Sequence, residues 1–475
     1  MNRRHFLQTS AFAAGAAALG PRLRGGPALV SPEARRDRPN VFFIFTDQQQ
    51  ADALSCAGAL GLRTPAMDSL AARGVRFERA YAFQPLCLPS RTCLMTGQAP
   101  RRFGIRVNNR EPLLPAGTPT IGRLAASAGY DTAYVGKWHV PIQPDDVALH
   151  GFADMRGITN EGRDDLVLQP CDAILRQRRK NPLFLVAALI NPHDACEYAR
   201  DQPLPNGDLP PAPSPALCPP LPPNHALLPD EPAALARIKQ LTPRVYPTAG
   251  WGDDQWRRYI WAYHRLVEKS DALVGRLLES LAAAGRERDT VVIFSSDHGD
   301  GGASHLWNQK SVLYEESVRV PLIMAGPGIS GRGRADNEHL VSLGLDFLPT
   351  LCDYTGAAQP EVCPGRSLRP LVESARTLNT PWRDHLIAET EFHLQKNDES
   401  SGIMGRMART DRYKYIAYSE GAHREQFFDL GLDPRESRNL VHEPALAGEI
   451  RRHRALLAAW AQRTHDDFPL VAGAA

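Results

Sequence analysis

Four apolar runs, each delivering polar residues at its C-terminal end, constrain this chain more than anything else in it. Val41-Phe42-Phe43-Ile44-Phe45-Thr46 leads into Asp47-Gln48, and Thr132-Ala133-Tyr134-Val135 leads into Gly136-Lys137-Trp138-His139. Leu183 to Ile190 delivers Asn191-Pro192-His193-Asp194, and Thr290 to Ser296 delivers Asp297-His298-Gly299-Asp300. Unbroken apolar stretches of this length suit strands covered on both faces. Helical patterns lie between them at 64–74, at 118–129 and along an amphipathic stretch at 254–284 that Gly285 ends. Such alternation predicts an α/β fold whose ligands gather outside the carboxyl ends of the strands. An Asp in that place is, by itself, an ordinary helix cap or turn former.

The companion feature is Leu86-Cys87-Leu88-Pro89-Ser90-Arg91-Thr92. Pro89 has a fixed φ and no N–H to lose, so it fits the first turn of a helix, with Arg91 projecting from that turn. Cys87 is thereby placed at a helix N-terminus, where free N–H groups and the positive dipole end suit an oxyanion. A cysteine taken alone is a small buried hydrophobe. This one stands in a Cys-x-Pro-Ser-Arg sequence, and the segment resembles the sulfatase family, in which that sequence directs oxidation of the cysteine to formylglycine.

The resemblance implies an alkaline phosphatase-like fold. That fold is a large mixed, mostly parallel sheet sandwiched by helices, with a smaller C-terminal α+β subdomain of antiparallel strands and a packing helix. It implies that Cys87 becomes the nucleophile as a hydrated aldehyde: one hydroxyl attacks sulfur, and deprotonating the other expels sulfate and regenerates the aldehyde. It also implies one divalent metal held by Asp47, Gln48, Asp297, His298 and the side chain at Cys87. Gln48 replaces the usual second Asp, which removes one negative charge, and His298 stands where many members have Asn. Oxygen-rich sites suit calcium or magnesium and an imidazole tilts toward manganese, with calcium the expectation.

Gly136-Lys137-Trp138-His139 is strongly sulfatase-like. Within the resemblance Lys137 binds the sulfate and His139 removes the remaining proton of the hydrate. His193 matches the Pro-His element that faces the substrate oxygen. Lys310, in Trp307-Asn308-Gln309-Lys310, matches the second sulfate-binding lysine, and Arg91 joins both lysines in neutralising sulfate oxygens. Asp194 is either a substrate contact or a supporting partner, and His305 either serves the leaving group or is an ordinary loop histidine. Gln98 stands where the family commonly has Arg, outside the Cys/Pro/Arg core. The implied partners are a sulfated carbohydrate or aryl sulfate and a formylglycine-generating maturation enzyme. The rival readings are a phosphonate or phosphate ester hydrolase on the same fold, and a catalytically silent binder of sulfated glycans whose Cys87 stays a thiol.

Composition limits the remainder. With 43% hydrophobic residues and a net charge of +2 over 475 residues, the chain is neither a nucleic-acid binder nor a polyacid chaperone, and anion specificity must be local. Arg101, Arg102, Arg106 and Arg110 follow the Cys87 segment as a basic concentration. They are either a solvated face or a cleft rim on which Arg106 and Arg110 hold further acidic groups of a sugar. Met1-Asn2-Arg3-Arg4-His5-Phe6-Leu7 and the Ala/Gly run after it resemble a twin-arginine export signal. That implies a periplasmic or exported protein without stable membrane insertion. The eight cysteines show no CxxC pairing, against a zinc ribbon or redox motif. The expected divisions are a signal and linker at 1–37, a catalytic domain at 38–376 and a C-terminal subdomain at 377–475. Twelve prolines between Pro203 and Pro232 mark an irregular insertion in the catalytic domain.

Overall fold

The computed structural model describes residues 38–109, 111–373, 381–394 and 399–471. The segment read as an export signal, Arg110 and the division expected at 376/377 lie outside these residues. In chain order the strands are β1 (Asn40–Asp47), β2 (Val75–Phe77), β3 (Ala80–Tyr81), β4 (Asp131–Lys137) and β5 (Asp154–Thr159). There follow β6 (Leu183–Pro192), β7 (Thr290–Ser296), β8 (Leu322–Ala325), β9 (Arg334–Asp336) and β10 (Val341–Ser342). The last four are β11 (His385–His393), β12 (Ser400–Thr410), β13 (Tyr413–Tyr418) and β14 (Glu425–Asp429).

Eight strands form the main sheet in the order β5-β4-β6-β1-β7-β8-β2-β9. The five from β5 to β7 run parallel, and β8 is antiparallel to both its neighbours. The four apolar runs of the sequence are therefore the adjacent strands β4, β6, β1 and β7, so their carboxyl ends open on one edge. Both faces of β1 are covered. Phe43 and Phe45 pack toward Phe347, Leu348 and Leu351 of the Leu343–Thr355 helix, while Phe42 and Ile44 pack toward Val274, Leu277 and Leu281 of the Asp253–Ala283 helix. That two-sided burial explains why successive residues of β1 are all apolar.

The remaining strands of size, β11 to β14, make an antiparallel four-stranded sheet. On one face Ile387, Tyr415 and Phe427 meet Ile450 and Leu457 of the Ala447–Thr464 helix. On the other, Leu386, Met407, Ile416 and Phe428 meet Tyr81, Trp307, Leu313 and Tyr314 of the preceding region. The proline-rich stretch carries a single short 3-10 turn at Pro215–Leu217. It is tied down at Asn206, whose backbone and amide nitrogens donate to Asp194, and at Asn224, whose amide donates to Glu316. Among the described residues no helix is long and apolar enough to cross a membrane.

Candidate active site

The strand ends do not release their last side chains along the strand line. The parallel register of β1 on β6 shifts between Phe45 and Asp47, and that of β4 on β5 shifts between Val135 and Lys137. Such irregularities re-aim side chains. At Gly136 the backbone adopts φ 100°, and a Cβ there would stand 2.1 Å from the Ala188 carbonyl oxygen, so only glycine lets β4 turn Lys137 inward against β6. The Cys87–Thr96 helix begins at the motif cysteine, with Pro89 in its first turn as the sequence predicts, and Gly97 at φ 64° ends it. Its first turn reaches the carboxyl edge of the sheet: the Ser90 hydroxyl donates to the Asp297 carbonyl at 2.6 Å.

Arg91 organises the floor of the site. Its Nε donates to Asp297 Oδ2 at 2.9 Å, its Nη2 to Asp47 Oδ2 at 3.1 Å and its Nη1 to the Lys137 carbonyl at 3.0 Å. The Lys137 ammonium adds a second bond to Asp47 Oδ2 at 2.9 Å. With both Oδ2 atoms so engaged, the Oδ1 atoms turn toward His298, whose Nε2 lies 3.5 Å from Asp47 Oδ1, 3.6 Å from Asp297 Oδ1 and 3.3 Å from Cys87 Sγ. Lys310 closes the group, with Nζ 3.1 Å from Cys87 Sγ.

These donors fit a divalent cation. One atom each from Asp47, Cys87, Asp297 and His298 lies within 4.8 Å of all the others, and all four residues are buried. The Gly299 carbonyl, 2.9 Å from His298 Nδ1, can only accept, so it holds the proton on Nδ1 and leaves the Nε2 lone pair facing the cluster. Burial opposes a charge on His298, yet Asp297 and Cys87 more than offset it and raise its pKa. The space between these donors attracts positive charge. Burial likewise opposes the charge on Asp47, but Lys137, His193, Lys310 and Arg91 hold its carboxyl well below the usual carboxylate range. Three fixed cations against two carboxylates leave the floor net positive, suited to an anionic substrate.

Several expectations are placed differently. Gln48 takes a left-handed backbone, φ 73°, and its side chain serves a neighbouring network: Nε2 donates to Asp300 Oδ2 at 2.8 Å, and Oε1 lies 3.4 Å from Cys196 Sγ. Asp194 is buried and accepts from Asn206 at 3.0 and 3.1 Å. His305 is packed in the core, stacked 4.0 Å from the Tyr314 ring and 3.4 Å from the Asn224 amide, and burial lowers its pKa. Arg106 is no free rim cation: it pairs with Glu391 at 3.3 Å and Asp467 at 3.0 Å. Arg101 pairs with Glu389 and Asp466. The helix N-terminus is less open to an anion than the sequence implies, since the Leu88 N–H donates to Asn108 Oδ1 at 3.1 Å.

The structure also adds residues the sequence did not single out. Asp300 receives the Gln48 amide and both contacts of the Tyr259 hydroxyl, at 2.8 and 3.0 Å. Its place in the Asp297-His298-Gly299-Asp300 loop was the available signal. His193, at the end of β6, is half-buried, with Glu197 Oε2 3.8 Å from its Nδ1. His139, half-buried, follows Lys137 on a left-handed backbone, φ 42°.

The chain matches the family model described as Sulfatase over residues 39–357, and that described as N-sulphoglucosamine sulphohydrolase, C-terminal, over 303–461. It is 31% identical over 458 residues to a Delta 4,5-hexuronate-2-O-sulfatase of Bacteroides thetaiotaomicron, covering 91% of each chain. A solved structure described as a 2-O GAG sulfatase superposes with a TM-score of 0.80 at 30% identity, over 91% of this chain and 93% of that one. The phosphonate monoester hydrolase of Agrobacterium radiobacter is similar in fold, with a TM-score of 0.69 at 21% identity over 90% of this chain and 96% of that one. Motif, strand-end cluster and family match agree, and the chain belongs to the sulfatase family.

Proposed function

We propose that this sulfatase removes the 2-O-sulfate of a hexuronate in a sulfated glycan fragment, using formylglycine at position 87 and one divalent cation. The observation that carries the chemistry is the convergence of Asp47, Cys87, Asp297 and His298 on one buried point beside Lys310 and Lys137. The hexuronate follows from the relative of that specificity, 31% identical over nearly the whole chain. The likeness to phosphonate hydrolases, at 21% identity, is one of fold.

Asp47, Asp297 and His298 would hold the cation, with calcium the expected ion, and it would supply Lewis-acid charge to the sulfate oxygens. As a hydrated aldehyde, residue 87 would supply the attacking hydroxyl and a second hydroxyl for release of sulfate. Arg91 fixes both carboxylates at once, so the floor needs no rearrangement during the reaction. Lys137 and Lys310 take the charge of the sulfate oxygens; before Cys87 is converted, burial opposes the charge on Lys310 but Cys87, Cys196 and Asp47 outweigh it. His193 gives a proton to the departing alcohol oxygen, and His139 accepts one from residue 87. Export through the segment around Arg3 and Arg4 would bring the enzyme to polymeric substrates.

The test is a panel of 2-O-, 4-O-, 6-O- and N-sulfated disaccharides assayed with enzyme co-expressed with a formylglycine-generating enzyme. Turnover should concentrate on the 2-O-sulfated hexuronate, and mass spectrometry should find the residue-87 thiol replaced by an aldehyde. Full activity in enzyme carrying only the thiol would overturn the chemistry, and preference for another position would overturn the substrate.

A further inference from the structure

Four residues after His193, on the short helix Ala195–Ala199 that starts where β6 ends, stands Glu197. One of its oxygens, Oε1, lies 3.5 Å from Arg200 Nη1, and Arg200 is itself anchored by its Nε on the Arg244 carbonyl at 3.1 Å. The other, Oε2, is buried without a hydrogen-bond partner and points at His193 Nδ1 from 3.8 Å. A buried carboxylate oxygen without a donor is costly. At this separation a small rotation of a protonated imidazole would satisfy it.

The charges around His193 explain why such a partner is needed. Lys137 from β4, Lys310 from the loop after β7 and His298 beyond β7 all oppose a positive imidazole, as does burial, and Asp47 from β1 favours it. The balance lies well toward the neutral ring, which has no proton to spare for a leaving alcohol. Bound sulfate, seated on the two lysines, offsets part of their repulsion. Glu197 stands at Nδ1; burial and Asp194 raise its own pKa, which Arg200 and Lys310 counter.

We propose that Glu197 is a positioning residue for the reaction: its carboxylate accepts a hydrogen bond from the Nδ1–H of His193, turns Nε2 toward the ester oxygen and sustains the imidazolium. This rests on the assignment of His193 as the acid in the proposed function. As the S–O bond to the alcohol breaks, its electron pair stays on the alcohol oxygen, an O–H bond forms with the Nε2 proton, and the neutral ring regains its proton from water. No other co-reactant is required.

Leaving groups separate this role from a structural one. The 2-O-sulfated unsaturated hexuronate disaccharide releases a poor leaving alkoxide that needs a proton, while 4-nitrophenyl sulfate releases a phenolate that departs without one. In formylglycine-bearing full-length enzyme, Glu197→Gln should lower kcat on the disaccharide roughly tenfold to a hundredfold more than on 4-nitrophenyl sulfate, with KM nearly unchanged. Removing an anion beside an imidazolium lowers its pKa, so the basic limb of the kcat profile should move down by about one pH unit. Glu197→Asp should recover part of both effects, which separates them from misfolding. His193→Ala should show the same leaving-group selectivity, and adding Glu197→Gln to it should cost little more.

Equal losses on both substrates in Glu197→Gln, an unmoved limb, or losses that add to those of His193→Ala would overturn the role of Glu197. If His193→Ala itself shows no leaving-group selectivity, the assignment of His193 fails instead.

Discussion

Arg91 shows what a single residue contributes to this site. Its fork reaches Asp47, Asp297 and the Lys137 carbonyl together, and its pKa is raised: burial opposes the charge, but Asp297 and Asp47 outweigh it. Lysine carries the same charge at a single point and cannot span three acceptors. Arg91→Lys should therefore free one carboxylate to rotate, with kcat falling roughly a hundredfold and bound metal falling with it. Asp297→Ala should remove metal and turnover together, because it deletes an anionic donor and leaves the buried guanidinium half-paired. Elemental analysis alongside steady-state assays of both variants checks this, and wild-type metal content in either would show that the cation sits elsewhere. Cys87, Lys137 and Lys310, which the structure brings together with Asp47, were within reach of the sequence because each belongs to a short contiguous motif. Gln48, Asp194 and His305 were harder. Their backbone positions follow from local sequence, but their side chains are claimed by partners that packing selects: Asp300, 252 residues from Gln48, and Asn206 and Tyr314 across the folded loops next to Asp194 and His305.

Among the elements, the join between the C-terminal sheet and the strands before it is the least expected, because charge runs through it. Lys414 of β13, fully buried, bonds Glu315 at 3.0 Å and Glu436 at 2.8 Å. The Glu436 carboxylate accepts the Glu315 backbone N–H at 2.7 Å, and Tyr81, held by Arg409 at 3.1 Å, donates to Glu315 at 3.0 Å. One lysine therefore serves two buried acids: burial opposes the charge on Glu315 but Lys414 holds it down to about 2, while burial pushes Glu436 up to about 8. Lys414→Met keeps the bulk and removes the charge, so it should lower stability by about 3–5 kcal/mol. The urea midpoint of folded, modified enzyme measures this, and an unchanged midpoint would mean that the Lys414 charge contributes nothing net to the join. In the sequence, Tyr413-Lys414-Tyr415-Ile416 and Gln426-Phe427-Phe428-Asp429-Leu430 alternate as strands and mark β13 and β14, whereas nothing marks β11 and β12. Buried charged residues, Glu389 and Glu391 in β11 and Arg406 and Arg409 in β12, interrupt the apolar pattern there.

At the scale of the whole molecule, the chain ends by closing onto its own catalytic region. Asp466, just past the Ala447–Thr464 helix, takes Arg406 through two bonds at 2.7 and 2.9 Å and Arg101 at 3.2 Å, while Asp467 takes Arg106 at 3.0 Å. Arg101 and Arg106, two of the arginines that looked like a basic patch, are thus the receiving side of this closure. A chain ending before Ala447 would leave Arg406 buried without its carboxylate and expose Ile387, Tyr415 and Phe427. That truncation should abolish the single cooperative unfolding transition and give aggregated protein, as judged by calorimetry and size-exclusion chromatography. A soluble, active truncated enzyme would show that the sheet needs no outer cover.

The sequence by itself determined the α/β class, the strands that carry the site and the start of the helix at Cys87. Those properties are written in residues close together in the chain: apolar runs, the helix signal at Pro89, the glycine at 136. Only the tertiary structure decided how the polar residues pair. It gave Arg91 to two carboxylates, turned the Gln48 amide toward Asp300, spent Asp194 on the proline-rich stretch and matched Arg101 and Arg106 with acids more than 280 residues away. A buried polar group must find a partner wherever the fold supplies one, and which partner lies within reach is a property of the packed chain.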